Sequence, residues 1–306
     1  MPENESRSER RDAHHGRTPL NGFPGAILAR LAGKRRAARR CEDHTMSNLE
    51  IPHSSRPSQV DSYLLVIRAL LQRDMRTRFG ATMWGYLMQV LWPVAHVLIV
   101  SSIMAFRHMP SPMGSSILVF VATGAFPALA FQYIAREMMK GVLINKPLTY
   151  YPQVRLFDVM LSRAIVEMIG SFVGMGIIFA LFICVGQSPL PDDSFTAICG
   201  YCAAILLGVG IGTINCAVVT VFPGWMLGFV IVQLALYMTS GIYFLPSFLP
   251  DIVYSYMKYN PVLQIIEWVR SGYFRELSVE VDKIYTLLWG LVSLTVGLLL
   301  NRRLQR

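Results

Sequence analysis

Charge is what this chain has least of. Asp, Glu, Lys and Arg make up 15% of its 306 residues, against roughly a quarter in an ordinary soluble domain, while 53% are hydrophobic. Roughly half of the charged residues also lie before position 82, which leaves behind them apolar runs that a soluble core of this size has no room to bury. Histidine is missing where chemistry would need it. Four of the six, His14, His15, His44 and His53, fall in the polar N-terminal stretch. A membrane-embedded hydrolase or acyltransferase needs histidines and carboxylates converging at one depth, and only His96 lies in an apolar run, where packing is the simpler role. No His, Cys and carboxylate cluster repeats at ligand spacing, so no metal is expected.

Other absences narrow the field further. No stretch fits G-x-x-x-x-G-K-[ST]: the pair Gly33-Lys34 has Leu28 where the first glycine belongs and Arg35 where the hydroxyl belongs, so no cofactor and no ATP site are expected in this chain. Of five cysteines, Cys184, Cys199, Cys202 and Cys216 sit inside apolar runs, and no disulfide framework is expected. Cys199-Gly200-Tyr201-Cys202 has the spacing of a redox pair, but no strand precedes it and nothing there makes the wet, electropositive setting a thiolate needs. No secretory signal is visible, because the basic stretch up to Arg40 leads into polar sequence.

What remains is bilayer-spanning sequence, an all-α integral membrane fold. Residues 1–58, rich in Arg, Ser, His and Pro without periodicity, read as a disordered basic tail. Met46 opens the stretch that leads into the first patterned element, so a chain starting there is expected to insert and function. Residues 59–81 read as an amphipathic helix lying in the interface: Val60, Tyr63, Leu64, Ile67, Leu71 and Met75 share one face, and Arg68, Arg73, Arg76 and Arg78 supply charge for anionic headgroups. The permease domain, 82–306, is expected to hold six spans at about 82–106, 116–135, 159–185, 195–222, 225–245 and 284–300. With both termini in the cytoplasm, eleven Lys and Arg flank the spans inside and five outside, and the net charge of +9 needs no nucleic acid to explain it. Between the fifth and sixth spans, Asn260-Pro261 is an N-cap followed by proline at the first helical position. It is expected to open a short re-entrant or gate helix on the periplasmic side.

Three groups of residues carry candidate function. Arg163 and Glu167 are opposite charges at i, i+4 within the third span, suited either to structural pairing, with each other or a neighbour, or to conformational coupling. Gly170, Gly174 and Gly176, and Gly208, Gly210 and Gly212, are spaced for close helix approach. Tyr243, Phe244, Phe248, Tyr256 and Trp268 belong to a dense aromatic group after the fifth span, which forms an interfacial belt or lines a glycan path by stacking on sugar rings.

Three stretches resemble a known family, the permease subunits of type-2 ABC exporters, and in particular the inner-membrane component that exports capsular polysaccharide. Thr77-Arg78-Phe79-Gly80 with Gly85-Tyr86-Leu87, Pro93 and Ala95-His96 resembles the family's entrance to its first span. Asn145-Lys146-Pro147-Leu148-Thr149-Tyr150-Tyr151-Pro152-Gln153-Val154-Arg155, with Asp158, Arg163 and Glu167, resembles its cytoplasmic loop. Tyr259-Asn260-Pro261-Val262-Leu263, with Ile266-Glu267 and Arg270, resembles the segment before its last span. The resemblance covers roughly 60–306, and departs from the pattern at Trp92, where an acid is usual, and in the long tail. It implies a homodimer in the bacterial inner membrane, with a separate ATP-binding cassette subunit that holds ATP and Mg. A lipid-linked polysaccharide would be the substrate, and periplasmic and outer-membrane capsule export proteins the further partners. The loop residues Lys146, Pro147, Leu148, Tyr150, Tyr151, Pro152 and Arg155 are expected to couple to the ATPase, Pro147 and Pro152 stiffening a run of apolar anchors. The alternatives are the same architecture moving O-antigen or teichoic acid, a membrane-embedded enzyme, or a non-transporting scaffold.

Overall fold

The structure is a computed structural model that describes residues 59–79, 83–114, 116–145, 155–188, 190–274 and 281–304. The basic tail, 1–58, lies outside them. Among the described residues the fold is helical, without strands: α1 Gln59–Phe79, α2 Met83–Phe106, α3 Ile117–Ile144, α4 Leu156–Cys184, α5 Ser194–Val221, α6 Trp225–Met238, α7 Asp251–Met257, α8 Pro261–Tyr273 and α9 Lys283–Leu304. Five of these, α2, α3, α4, α5 and α9, are long and apolar enough to cross a membrane.

The starts of these helices follow local chemistry. Asp193 caps α5, its carboxylate accepting from the Phe195 and Thr196 amides at 3.1 and 3.2 Å. Asn260 caps α8, accepting from the Val262 amide at 2.9 Å, and Pro261 follows at a position whose amide would be orphaned in any case. The Asn260 amide group also donates to the Leu236 carbonyl and the Thr239 hydroxyl, tying the start of α8 to the end of α6. Asp158 accepts from the Arg155 amide at 2.9 Å and opens α4.

Two boundaries differ from the sequence-based expectation. The second span was expected to end near Ala135, yet α3 continues to Ile144. Arg136, Glu137 and Lys140 do not break the helix, because Glu137 sits 3.5 Å from Arg136 and 2.8 Å from Lys140 across one turn. The fifth span, expected over 225–245, is helical only over Trp225–Met238. At a rise of about 1.5 Å per residue that helix is about 21 Å long, short of about 30 Å of hydrocarbon. Ser240 bonds back to the Tyr237 carbonyl, and Gly241 adopts a φ of 74° that turns the chain. Pro246 then begins a 3₁₀ turn.

Helix α5 is the centre of the bundle, contacting α3, α8 and α9. Glycines at its closest crossings let backbone approach backbone. A Cβ on Gly208 would stand 3.1 Å from the Phe131 carbonyl oxygen of α3, and one on Gly210 would stand 2.7 Å from the Gly290 carbonyl oxygen of α9. The glycines of α4 behave differently: Gly170 meets only Val90 at 4.0 Å and Gly176 meets nothing. Large apolar side chains line the outside, among them Trp84, Trp92 and Phe106 on α2, Phe172 on α4 and Ile284 on α9. A soluble protein rarely exposes so much contiguous apolar surface.

Gly297 on α9 gives the sharpest packing test. Its Cβ would collide with the Thr213 hydroxyl and lie 2.7 Å from the Ile214 amide nitrogen, while Asn301 clamps the same crossing by donating to the Thr213 and Gly297 carbonyls at 2.7 and 2.8 Å. Gly297→Ala should destabilise the bundle by about 1–3 kcal/mol. A lower midpoint of thermal unfolding in detergent is the expected result, with Gly176→Ala near wild type as the control.

Candidate functional site

Two buried arginines mark the two ends of α3. Arg163, 1% exposed, lies on Gly141: a Cβ there would come within 2.6 Å of its Cγ. Arg270, fully buried, lies on Gly124, where a Cβ would be 2.8 Å from its Nη2. These glycines are about 25 Å apart along the helix at its rise of about 1.5 Å per residue, close to the thickness of the hydrocarbon layer.

At the α1 end, the Arg163 guanidinium sits 2.7 Å from the Asp74 carboxylate of α1, and both are buried. Glu167, one turn on, accepts from the Gln89 amide of α2 at 2.9 Å through both its oxygens. The two charges of α4 thus bind α1 and α2 to it. Beside them lies a cavity of about 480 Å³ lined by Met88, Gln89, Trp92, Tyr133, Arg136 and Glu137, in which the Arg136 guanidinium stands 5.1 Å from the centre of the Tyr133 ring. Arg68, Arg73 and Arg76 are exposed on α1, while the buried positions Ile67, Leu70 and Asp74 form its inner face. Tyr63 on α1 hydrogen-bonds Asp158, and burial, with that carboxylate beside it, raises its hydroxyl above the ordinary tyrosine value.

At the α8 end, Arg270 donates to the Gly241 carbonyl at 2.8 Å and the Ile242 carbonyl at 3.1 Å, and its guanidinium stacks 3.9 Å from the centre of the Phe120 ring. It holds the turn after α6 against α3. Glu267, three residues earlier on α8, is 1% exposed, and neither of its carboxylate oxygens has a hydrogen-bond partner among the described residues. Burial pushes it up to about 7, against the pull of Arg270.

The remaining candidate residues are scattered. Lys146, Pro147, Leu148, Tyr150, Tyr151 and Pro152 lie outside the described residues, as does the Arg78 side chain, while Arg155 is exposed at the start of α4. Tyr243 packs edge-on against Tyr237 with ring centres 6.0 Å apart, and Phe244 is half-buried. Phe248 and Tyr256 are exposed, whereas Trp268 is buried in the core. His96 lies 2.5 Å from the Tyr237 hydroxyl, a contact between α2 and α6. Cys199 and Cys202 are unpaired thiols on α5. Asp74, Gln89 and Glu267 were not singled out from sequence as site residues. The lone acid among the arginines of 68–78, and the acid and base three apart in apolar 262–270, were the available signals.

A model of the ABC-2 type transporter family matches residues 66–274, from within α1 to just past α8. The chain belongs to that family. Polysialic acid transport protein KpsM of Escherichia coli is 30% identical to this ABC-2 chain over 246 residues, 78% of the chain and 93% of KpsM. Capsule polysaccharide export inner-membrane protein CtrC of Neisseria meningitidis serogroup A is 25% identical over 242 residues, 79% of the chain and 91% of CtrC. BexB of Haemophilus influenzae, which bears the same description, is 24% identical over 242 residues, with 79% and 91% covered. The family and the kind of relative are those that the three quoted stretches resemble.

Two outcomes follow for this ABC-2 chain. Asp74→Ala leaves the Arg163 charge without its buried carboxylate, and breaking such a pair costs about 3–5 kcal/mol. The yield of folded protein should collapse, and yield equal to wild type would remove Asp74 from the bundle's support. The second concerns pH. Because the folded value of Glu267 lies above the ordinary carboxyl value of 4.5, its contribution to stability is present below 4.5 and is lost as pH rises through about 7. Glu267→Gln should flatten that part of the fall in a thermal-unfolding series across this range.

Proposed function

We propose that this ABC-2 chain is the membrane-spanning subunit of an exporter that moves a lipid-linked capsular polysaccharide across the bacterial inner membrane, energised by a separate ATPase subunit. The observation that carries the reading is the match to KpsM, CtrC and BexB over 91–93% of their own length, proteins whose names give capsule or polysialic acid transport as their work. Two copies of the chain form the permease, with the exposed apolar faces of α2 and α4 available to lipid or to the second copy. ATP and Mg belong to the ATPase, and periplasmic and outer-membrane export proteins receive the polymer.

The α1 end faces the cytoplasm in this reading, with both termini inside, and α1 lies along the inner leaflet. The excess of Lys and Arg at that end supports it, as does the distribution of exposed Arg68, Arg73 and Arg76. Trp225–Met238 with the turn after it then enters the outer half of the bundle as the fifth crossing, and α7 and α8 form the periplasmic gate region before α9. The stretch 146–155 is the coupling element. It joins α3 to α4, and the first turns of α4 hold Asp74 and Gln89 through Arg163 and Glu167, so a push there reaches α1 and α2 together.

Co-purification with a candidate ATP-binding cassette subunit from the same organism tests the reading. A stable complex whose ATP hydrolysis responds to lipid-linked glycan is expected. Tyr150→Ala with Tyr151→Ala should weaken the complex by on the order of 2 kcal/mol, about thirtyfold in affinity, while membrane insertion stays intact. An unchanged complex in the double variant would take this stretch out of coupling.

A further inference from the structure

We propose that the cavity at the α1 end binds the phosphodiester of a membrane phospholipid, with Arg136 and Tyr133 holding the phosphate and the outer face of α2 carrying an acyl chain. Such a site is independent of what the chain exports. The cavity has a volume of about 480 Å³, within the range of about 300–1,000 Å³ usual for small-ligand pockets. Helix α2 lines it through Met88, Gln89 and Trp92, and α3 through Tyr133, Arg136 and Glu137.

Part of the polar wall is already committed. The Gln89 amide is given to both oxygens of Glu167, which is buried and does not line the cavity. Glu137, also buried, bonds Lys140 at 2.8 Å and stands 3.5 Å from the Nε of Arg136. One carboxylate therefore faces two cations, and Lys140 takes the closer share of it. The Arg136 side chain is 34% exposed although its Nε is closed off, so its open part is the Nη fork. Neither that fork nor the Tyr133 hydroxyl has a hydrogen-bond partner among the described residues. A planar fork with a hydroxyl donor beside it matches a group that presents several acceptor oxygens and negative charge, as a phosphodiester does.

Depth selects a lipid as the source of that group. Helix α3 carries no charged side chain from Ile117 to Ala135, about 27 Å at a rise of about 1.5 Å per residue, which is close to the full hydrocarbon thickness. Arg136 is the next residue, so its fork stands at the edge of that layer, where lipid phosphates lie. Trp92, 66% exposed, borders the same cavity from α2, as tryptophan borders membrane interfaces. Ile99, Ile103 and Phe106 continue its face and are all exposed. From Trp92 to Ile103 that face runs about 17 Å, the depth of about one leaflet of hydrocarbon. An acyl chain laid along it starts from the cavity that holds its phosphate.

Native mass spectrometry of the full chain in a maltoside, a detergent without phosphate, tests this. Phosphatidylglycerol and phosphatidylcholine are the probes, and a galactosyl diacylglycerol of the same chain length is the phosphate-free contrast. One molecule of either phospholipid per chain should be held about tenfold or more tighter than the galactolipid, the worth of one hydrogen bond to a charged group. Arg136→Gln should remove that preference. Tyr133→Phe, which keeps the ring, should reduce it severalfold and guards against a folding defect in the first variant. Arg302→Gln, at an exposed cation of α9, should leave it unchanged. Equal retention of all three lipids, or a wild-type preference in both cavity variants, would overturn the site, and an equal loss with Arg302→Gln would reduce it to general attraction between the chain and charged lipid. Inorganic phosphate that displaces the lipid at equal concentration would make the ligand the free anion. A chain recovered only as a lipid-free dimer would give the α2 face to a second copy, and either result contradicts a phospholipid site.

Discussion

Two guanidinium groups buried in an apolar bundle set the terms for everything packed around them. Each needs acceptors, because an uncompensated charge at such a place costs several kcal/mol, and each needs room, because α3 runs directly beneath it. The room comes from Gly141 and Gly124. The acceptors are supplied differently: a carboxylate from α1 for Arg163, and two carbonyls of an irregular turn for Arg270. The first arrangement pins an amphipathic helix to the bundle. The second satisfies two carbonyls of buried backbone that is no longer helical.

Between those ends the bundle depends on closeness. Helices in lipid gain nothing from hiding apolar surface and must instead gain from contact, and α5 supplies contact by presenting glycine to α3, α8 and α9 on different faces. Gly200 and Gly272 repeat the device between α5 and α8, with a Cβ on Gly272 falling 2.6 Å from the Ala197 amide nitrogen. A helix seated this tightly on α5 does not move independently of it. Helix α4 packs on α3, α3 on α5 and α5 on α8, so a displacement of α4 has a continuous packed route to α8.

Much of this was legible in the sequence. The spans at α2, α4, α5 and α9 needed only their hydropathy, and the start of α8 needed only Asn260-Pro261. The end of α3 is not legible in composition, because Arg136, Glu137 and Lys140 have the charge of a loop yet pair through Glu137 on a continuing helix. The fifth span was overextended because apolar 239–245 has the hydropathy of a helix, and only Gly241 in the left-handed region ends it. Partners were harder still. Arg163 and Glu167 stood out as charges, but Asp74 and Gln89 lie on other helices, and periodicity within one helix says nothing about which neighbour it meets.

Export itself is tested most directly by inverted inner-membrane vesicles carrying this chain and its ATPase, supplied with radiolabelled lipid-linked polysaccharide on the outside. Label should enter the lumen only when ATP and both subunits are present, and should stop when hydrolysis is blocked. Entry at the same rate in vesicles without this chain would contradict the assignment.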